Sequence, residues 1–144
     1  MKPYLLDVNV LIALVWPSHL HHEQAQRWFA RRRAAGFRTC PLTQTAFVRI
    51  SSNPNFTPNA VGPREALALL DRITSMPEHA FWPDDLPLRT AIGKDMPVAG
   101  HRQVTDAYLV GLAKDNRGKV ATFDRGLLSL VVPPGGLVEL VQDL

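Results

Sequence analysis

Five short apolar runs, "KPYLLDV", "FRTCP", "HAFWP", "GKVATFD" and "GGLVELV", recur along the chain, and no two of them are joined by a tight turn. Strands joined by longer, helix-bearing segments pair in parallel, because a parallel crossover needs about a dozen residues or more. The alternation of strand and helix therefore predicts an α/β domain with a mainly parallel sheet and helices on both faces. At 144 residues the chain has the length of one domain with one core, and residues 1–144 read as that single domain, without a linker or internal repeat.

The intervening segments carry helical signals. A helix runs over Asn9 to Val15 and stops near Pro17, and a second covers His21 to Ala35, ended by Gly36. On the second, Ala25, Trp28 and Phe29 share one face, while Arg27, Arg31, Arg32 and Arg33 form a solvated face. Thr43 to Ser51 reads as a helix with Phe47, Val48 and Ile50 apolar. "SSNPNFTPNAVGP" is a loop, and Pro63 suits the first turn of a helix carrying Ala66, Leu69, Leu70 and Ile73 at i, i+3, i+4, i+7. Asp84 to Val104 reads as loop with one helical turn. Thr105 is placed as the N-cap of a helix from Asp106 to about Asn116.

Composition narrows the class. With 46% hydrophobic and 20% charged residues the chain is globular rather than disordered. Its longest strongly apolar runs, such as Val10 to Trp16, are too short to span a bilayer, and "MKPYLLD" lacks the pattern of a secretory signal. The single Cys40 cannot form an internal disulfide and reads as a small buried hydrophobe, which fits a reducing cytoplasm. A net charge of +3 is a weak pointer to a polyanionic partner, and strengthens if several acids are sequestered in a site.

Three acids stand out. Asp7 sits in "YLLDVNVLIAL", an otherwise apolar stretch broken only by Asn9, and a buried charge is costly unless paired or bound to a metal. Asp7 and Asp124 each follow a strand, and Asp106 opens a helix where the chain enters from the same edge of the sheet, where open parallel sheets bind ligands. Both strand-end acids are expected to be poorly hydrated. Singly, Asp106 could complement the positive end of its helix and Asp124 could form a turn before Gly126. Together they repel, at roughly 1 kcal/mol per pair at ~4 Å in water and about 4 at an effective dielectric of 20. An all-carboxylate set suits a hard cation such as Mg²⁺ or Mn²⁺.

The segments "LLDVNVLIAL", "VTDAYLVGLA" and "VATFDRGL" resemble the three acidic signatures of the PIN domain, and of VapC-type ribonuclease toxins in particular. "CPLTQTAFVRISSNP" and "HAFWPDD" are similar to one branch of those toxins. The resemblance runs from the first strand to the last. It implies a three-layer α/β/α sandwich, Mg²⁺- or Mn²⁺-dependent cleavage of RNA, a homodimer, and a VapB-type antitoxin partner. It also implies that Asp7, Asp106 and Asp124 are the metal-binding carboxylates, that Asn9 orients their surroundings, and that Thr122 steadies the last acid. Gln44 departs from the pattern, standing where many PIN domains carry a glutamate. Its carbonyl oxygen could still reach a metal or a metal-bound water, with one negative charge fewer in the site.

In such a hydrolase, Arg49, Arg102 and Arg125 are candidates to guide the RNA backbone. Asp84, Asp85 and Asp95 read as surface loop residues, and His19, His21 and His22 as a solvated helix start rather than a zinc site. Trp16, Trp28, Phe29 and Phe47 read as core; any left exposed would offer a groove to an apolar antitoxin segment. Two rival readings remain. A PIN-like domain with Gln44 in place of the acid could bind RNA or antitoxin without cleaving. A haloacid-dehalogenase-type phosphatase would use Asp7 as nucleophile, but it wants an acid where Asn9 stands and a later Lys with a Gly-Asp-Asp-type signature.

Overall fold

The structure, a computed structural model, describes residues 1–131 and 136–143. In chain order the elements are β1 (Tyr4–Leu6), α1 (Val8–Val15), α2 (His22–Arg32), β2 (Phe37–Thr39), α3 (Pro41–Ser51), α4 (Pro63–Thr74), β3 (His79–Phe81), α5 (Leu88–Ala91), α6 (Val104–Asp115), β4 (Lys119–Thr122) and β5 (Val138–Leu140). Short 3₁₀ turns follow α2, precede α6 and follow β4. Gly135, in the expected fifth strand, lies outside the described residues. Among the described residues no helix is long and apolar enough to cross a membrane.

The strands form one sheet in the order β3-β2-β1-β4-β5, and every pairing is parallel. β1 lies at the centre, so its residues are buried whichever way they point. Tyr4 and Leu6 join one core with Phe37 and Ala121, under α1, α2, α3 and α4. Leu5 points the other way, into a second core with Val120, Val138 and the apolar side of α6. The result is the three-layer α/β/α sandwich. Gly111, mid-helix in α6, lets α5 lie against it: a Cβ at this position would overlap the Ala91 carbonyl.

Several boundaries differ from expectation. Thr105 does not cap α6, which starts at Val104 after Gln103. The Gln103 side chain shapes the preceding 3₁₀ turn instead, accepting from the Ala99 and Gly100 amides at 2.7 and 3.3 Å. α3 starts earlier than expected, at Pro41, whose fixed φ suits a first helical residue. The Thr43 hydroxyl accepts from the Cys40 amide at 3.0 Å. Cys40, Trp28, Phe29 and Phe47 are buried, as is consistent with core, while Trp16 is half-buried and donates to the Ser51 hydroxyl.

The arginines of α2 are not a free solvated face. Arg27 makes two hydrogen bonds to Asp143, at 2.9 and 2.8 Å, Arg31 donates to the Gln142 carbonyl, and Arg33 grips Glu78. Glu139 on β5 accepts from Arg32, Trp28 and Tyr4 at 2.9, 2.9 and 3.0 Å. Burial alone would raise the Glu139 pKa; these three donors outweigh it and hold the carboxyl below its ordinary value. The sequence pattern missed this because all four partners lie 45 or more positions away along the chain.

Phe37 is 1% exposed, between the sheet and α2, where it meets Phe29 edge-on. Phe37→Ala is expected to cost about 3–5 kcal/mol in urea denaturation, against about 0.5 or less for Leu67→Ala on the outer side of α4.

Candidate active site

The carboxyl ends of the parallel strands form one edge, and the chain delivers its three marked acids there. Asp7 follows β1 directly and caps α1: its Oδ1 accepts from the Val8 amide at 2.8 Å. Its Oδ2 accepts from the hydroxyl of Thr122, the last residue of β4, also at 2.8 Å. Asp7 is 7% exposed, and burial is the main cause raising its pKa; the two hydrogen bonds oppose the shift and the charge of Asp124 adds to it.

Asp124 stands two residues beyond β4 and, contrary to expectation, is exposed. The strand ends before it, and the chain turns outward into the 3₁₀ segment Arg125–Leu130. Its Oδ1 accepts from the Gly126 amide at 2.8 Å, so the turn-forming role open to this residue is also realised. Thr122 does steady this acid, but through the backbone: the Asp124 amide donates to the threonine oxygen at 3.0 Å, while the hydroxyl proton goes to Asp7.

Asp106 is half-buried in the first turn of α6. Its pKa is pushed up to about 6, by burial first and then by the charges of Asp7 and Asp124. The three carboxylates therefore feel one another. Among the described residues none of them has an ion-pair partner; the pairs that form are Arg27–Asp143, Arg32–Glu139 and Arg33–Glu78. Nor, among those residues, do three acidic, imidazole or thiol groups already stand at cation-binding separation. Asp7 and Asp124 are turned to their own caps, so a shared ion would have to draw the Asp106 and Asp124 side chains inward. The donor chemistry fits such an ion: hard carboxylate oxygens with unbalanced negative charge and no thiolate.

The supporting residues divide. Asn9 is exposed in the first turn of α1 and, among the described residues, hydrogen-bonds none of the acids, so the structure gives it no orienting contact. Gln44 lies near the start of α3, just beyond the carboxyl end of β2. Its amide nitrogen donates to the buried Thr39 hydroxyl at 2.9 Å, and that oxygen lies 2.7 Å from His79 Nε2. The chain of bonds runs from Gln44 through Thr39 to His79, engaging the amide nitrogen, while the carbonyl oxygen has no hydrogen-bond partner among the described residues. Thr39 and His79 had no signal in the sequence beyond being polar residues in apolar strands.

Arg125 and Arg102 are both exposed at this edge, beside Asp124 and in the turn before α6. Arg49 lies in the last turn of α3, about 7–8 Å along the helix from Gln44. Asp84, Asp85 and Asp95 are exposed loop residues. A cavity of about 480 Å³, lined in part by Ala91, Gly111 and Lys114, sits toward the far end of α6 and contains none of the three acids.

A family model described as PIN domain matches residues 4–131, and the chain belongs to that family. Among particular relatives, it is 46% identical over 138 residues to Ribonuclease VapC39 of Mycobacterium tuberculosis, spanning 95% of this chain and 98% of that one. It is 42% identical over 142 residues to Ribonuclease VapC38 of the same organism, spanning 97% and 99%. These identities place it in the VapC branch. Its fold is that of VapBC2 from Rickettsia felis bound to a promoter DNA fragment, with a TM-score of 0.65 at 11% identity over 96% of this chain and 98% of that one. FitAcB from Neisseria gonorrhoeae superposes with a TM-score of 0.58 at 19% identity, over 86% and 89%.

Two outcomes follow from the geometry. The folded state of Asp106 binds its proton near pH 6 and the unfolded state near 3.8, so without metal this group makes stability fall as pH rises between those values. Asp106→Asn, in EDTA at pH 7.5, is expected to be more stable than the parent by about 1 kcal/mol after allowing for solvent screening of a half-exposed group. The difference should vanish at pH 4, as read by thermal or urea unfolding. Thr122→Val, which frees Asp7 Oδ2 and the Asp124 amide together, is expected to weaken Mn²⁺ binding about 10–100-fold in calorimetry.

Proposed function

We propose that this chain is the toxin of a toxin–antitoxin pair, an endoribonuclease that hydrolyses RNA phosphodiester bonds with Mg²⁺ or Mn²⁺ held by Asp7, Asp106 and Asp124. The observation that carries this reading is that three carboxylates, without a counter-ion among the described residues, lie near enough at the carboxyl edge of the sheet for burial and the charges of Asp7 and Asp124 to push Asp106 up to about 6. The identity to VapC ribonucleases supports the choice of RNA as substrate.

The residues divide the work. When bound, the ion would lower the pKa of a water and neutralise charge on the phosphate. Asp7, fixed from both sides by Val8 and Thr122, is the rigid ligand. Asp124 is the exposed one, able to turn from its Gly126 cap toward an ion. Asp106 accepts no hydrogen bond among the described residues, so it is the carboxylate free to take a proton from the attacking water as that oxygen bonds to phosphorus and the P–O ester bond breaks, the departing ribose oxygen taking its proton from solvent. Gln44 would present its carbonyl oxygen, its nitrogen being held by Thr39. Arg102 and Arg125 would steer phosphates past an edge that otherwise repels them.

A VapB-type antitoxin is the proposed partner, in keeping with the VapBC and FitAcB structures that share the fold. A groove of about 330 Å³ lined by Leu14, Phe29, Leu69, Ile73 and Met76 would take an apolar segment of it. Trp28 does not belong to that surface, being buried with its indole N–H on Glu139. A homodimer and a cytoplasmic setting complete the reading.

The deciding experiment is cleavage of a total RNA pool by the antitoxin-free chain with Mn²⁺, Mg²⁺ or EDTA, beside Asp7→Ala. Cleavage that needs the metal and falls about a hundredfold or more in the variant is expected. A folded protein that binds RNA or antitoxin but cleaves nothing under any metal would sink the nuclease and leave the binding-only reading.

A further inference from the structure

The residue between Thr122 and Asp124 has no part in the chemistry above. Phe123 is half-buried and packs on the core shared with α1 and α2. Its ring is covered by that of His21, the residue just before α2, at a centroid separation of 5.0 Å and an interplanar angle of 28°. This near-parallel pair therefore sits at the same sheet edge as the acids, one residue from Asp124 and one from the threonine that holds Asp7.

The three histidines of this segment are not equivalent. His22 Nδ1 lies 2.7 Å from the Ala13 carbonyl, and His19 Nδ1 accepts from the His21 amide at 3.0 Å. Both of these imidazoles are committed to backbone. His21 is exposed, provides no side-chain cap to α2, and among the described residues its ring nitrogens have no hydrogen-bond partner. His19 is its other aromatic neighbour, at 5.8 Å and tilted by 47°. A planar, exposed ring held flat on a core phenylalanine suits a nucleobase, which stacks on an aromatic face.

We propose that His21, braced by Phe123, is a stacking platform for an unpaired base of the RNA, and so a specificity-determining residue beside the scissile phosphate. The proposal rests on the nuclease reading. Its physical logic is that cationic groups act on the phosphates and leave the base unread, whereas an aromatic face beside the acids adds a contact that depends on the base and not on charge. Duplex RNA keeps its base faces stacked inside the helix, so the platform selects single-stranded segments.

The test is steady-state cleavage of two 12-nucleotide single-stranded RNA pools, one of random sequence and one with abasic riboses at every position, in Mn²⁺. His21→Ala is expected to raise KM on the random-sequence pool about five- to a hundredfold with kcat little changed, and to make no difference on the abasic pool. His21→Phe should stay within about twofold of the parent on both. An equal loss on both pools, or none on either, overturns the platform. A parent chain that cleaves neither pool instead removes the nuclease reading. Fluorescence anisotropy on the same pools then decides the platform, and equal affinity of parent and His21→Ala overturns it.

Discussion

The buried hydrogen bond from Thr122 to Asp7, 2.8 Å long, joins the ends of two neighbouring central strands at the point where the chain leaves the sheet. Much of the edge is organised through it. Asp7 simultaneously starts α1, and Thr122 simultaneously receives the Asp124 amide, so one hydroxyl and one carboxylate set the direction of two chain exits. A carboxylate this deeply buried, at the end of an apolar strand, is tolerable because donors approach both of its oxygens. The position that would be an error in a purely structural domain is thereby held in a fixed geometry at the ligand-binding end of a parallel sheet.

Charge is arranged in two separate systems. The cationic side chains of α2 are engaged with Asp143, Glu139, Glu78 and the Gln142 carbonyl, fastening the C-terminal strand and its extension to the helix layer. They are thus unavailable to the acidic edge, which keeps its negative charge uncompensated by protein among the described residues. That separation gives the site its electrostatic character: burial and like charge both favour the protonated form of Asp106, and a cation relieves both. The modest positive excess of the whole chain says little about the site because most of the basic cluster is tied up elsewhere.

Membership of the PIN-domain family, with a VapC relative sharing nearly half of its residues, accounts for the architecture and the order of the acids. Gln44 is a neutral amide, and its nitrogen is tied to the buried Thr39 hydroxyl, which in turn meets the half-buried His79 across β2 and β3. A glutamate there would lack the donor that this arrangement uses, so the amide and the two strand residues form one unit rather than an isolated substitution. On the other flank of the site, His21 and Phe123 bring an aromatic face to the edge from two distant parts of the chain.

The alternation of apolar runs with helical periodicity was sufficient to establish a parallel α/β sheet, because short-range pattern reports directly which residues must be buried and at what period. The same reading singled out Asp7, Asp106 and Asp124, since carboxylates at strand ends and a helix start have few apolar explanations. Other features depended on contacts between residues far apart in sequence. Burial of Asp7 but exposure of Asp124, the engagement of the arginines of α2 and its C-terminal turn, and, among the described residues, the lack of any bond from Asn9 to the acids were all set by packing. So were the Gln44–Thr39–His79 chain and the His21–Phe123 stack. Periodicity encodes which way a residue faces within its own element; which group it finally meets is fixed by how separate elements are laid together, and that information is not local.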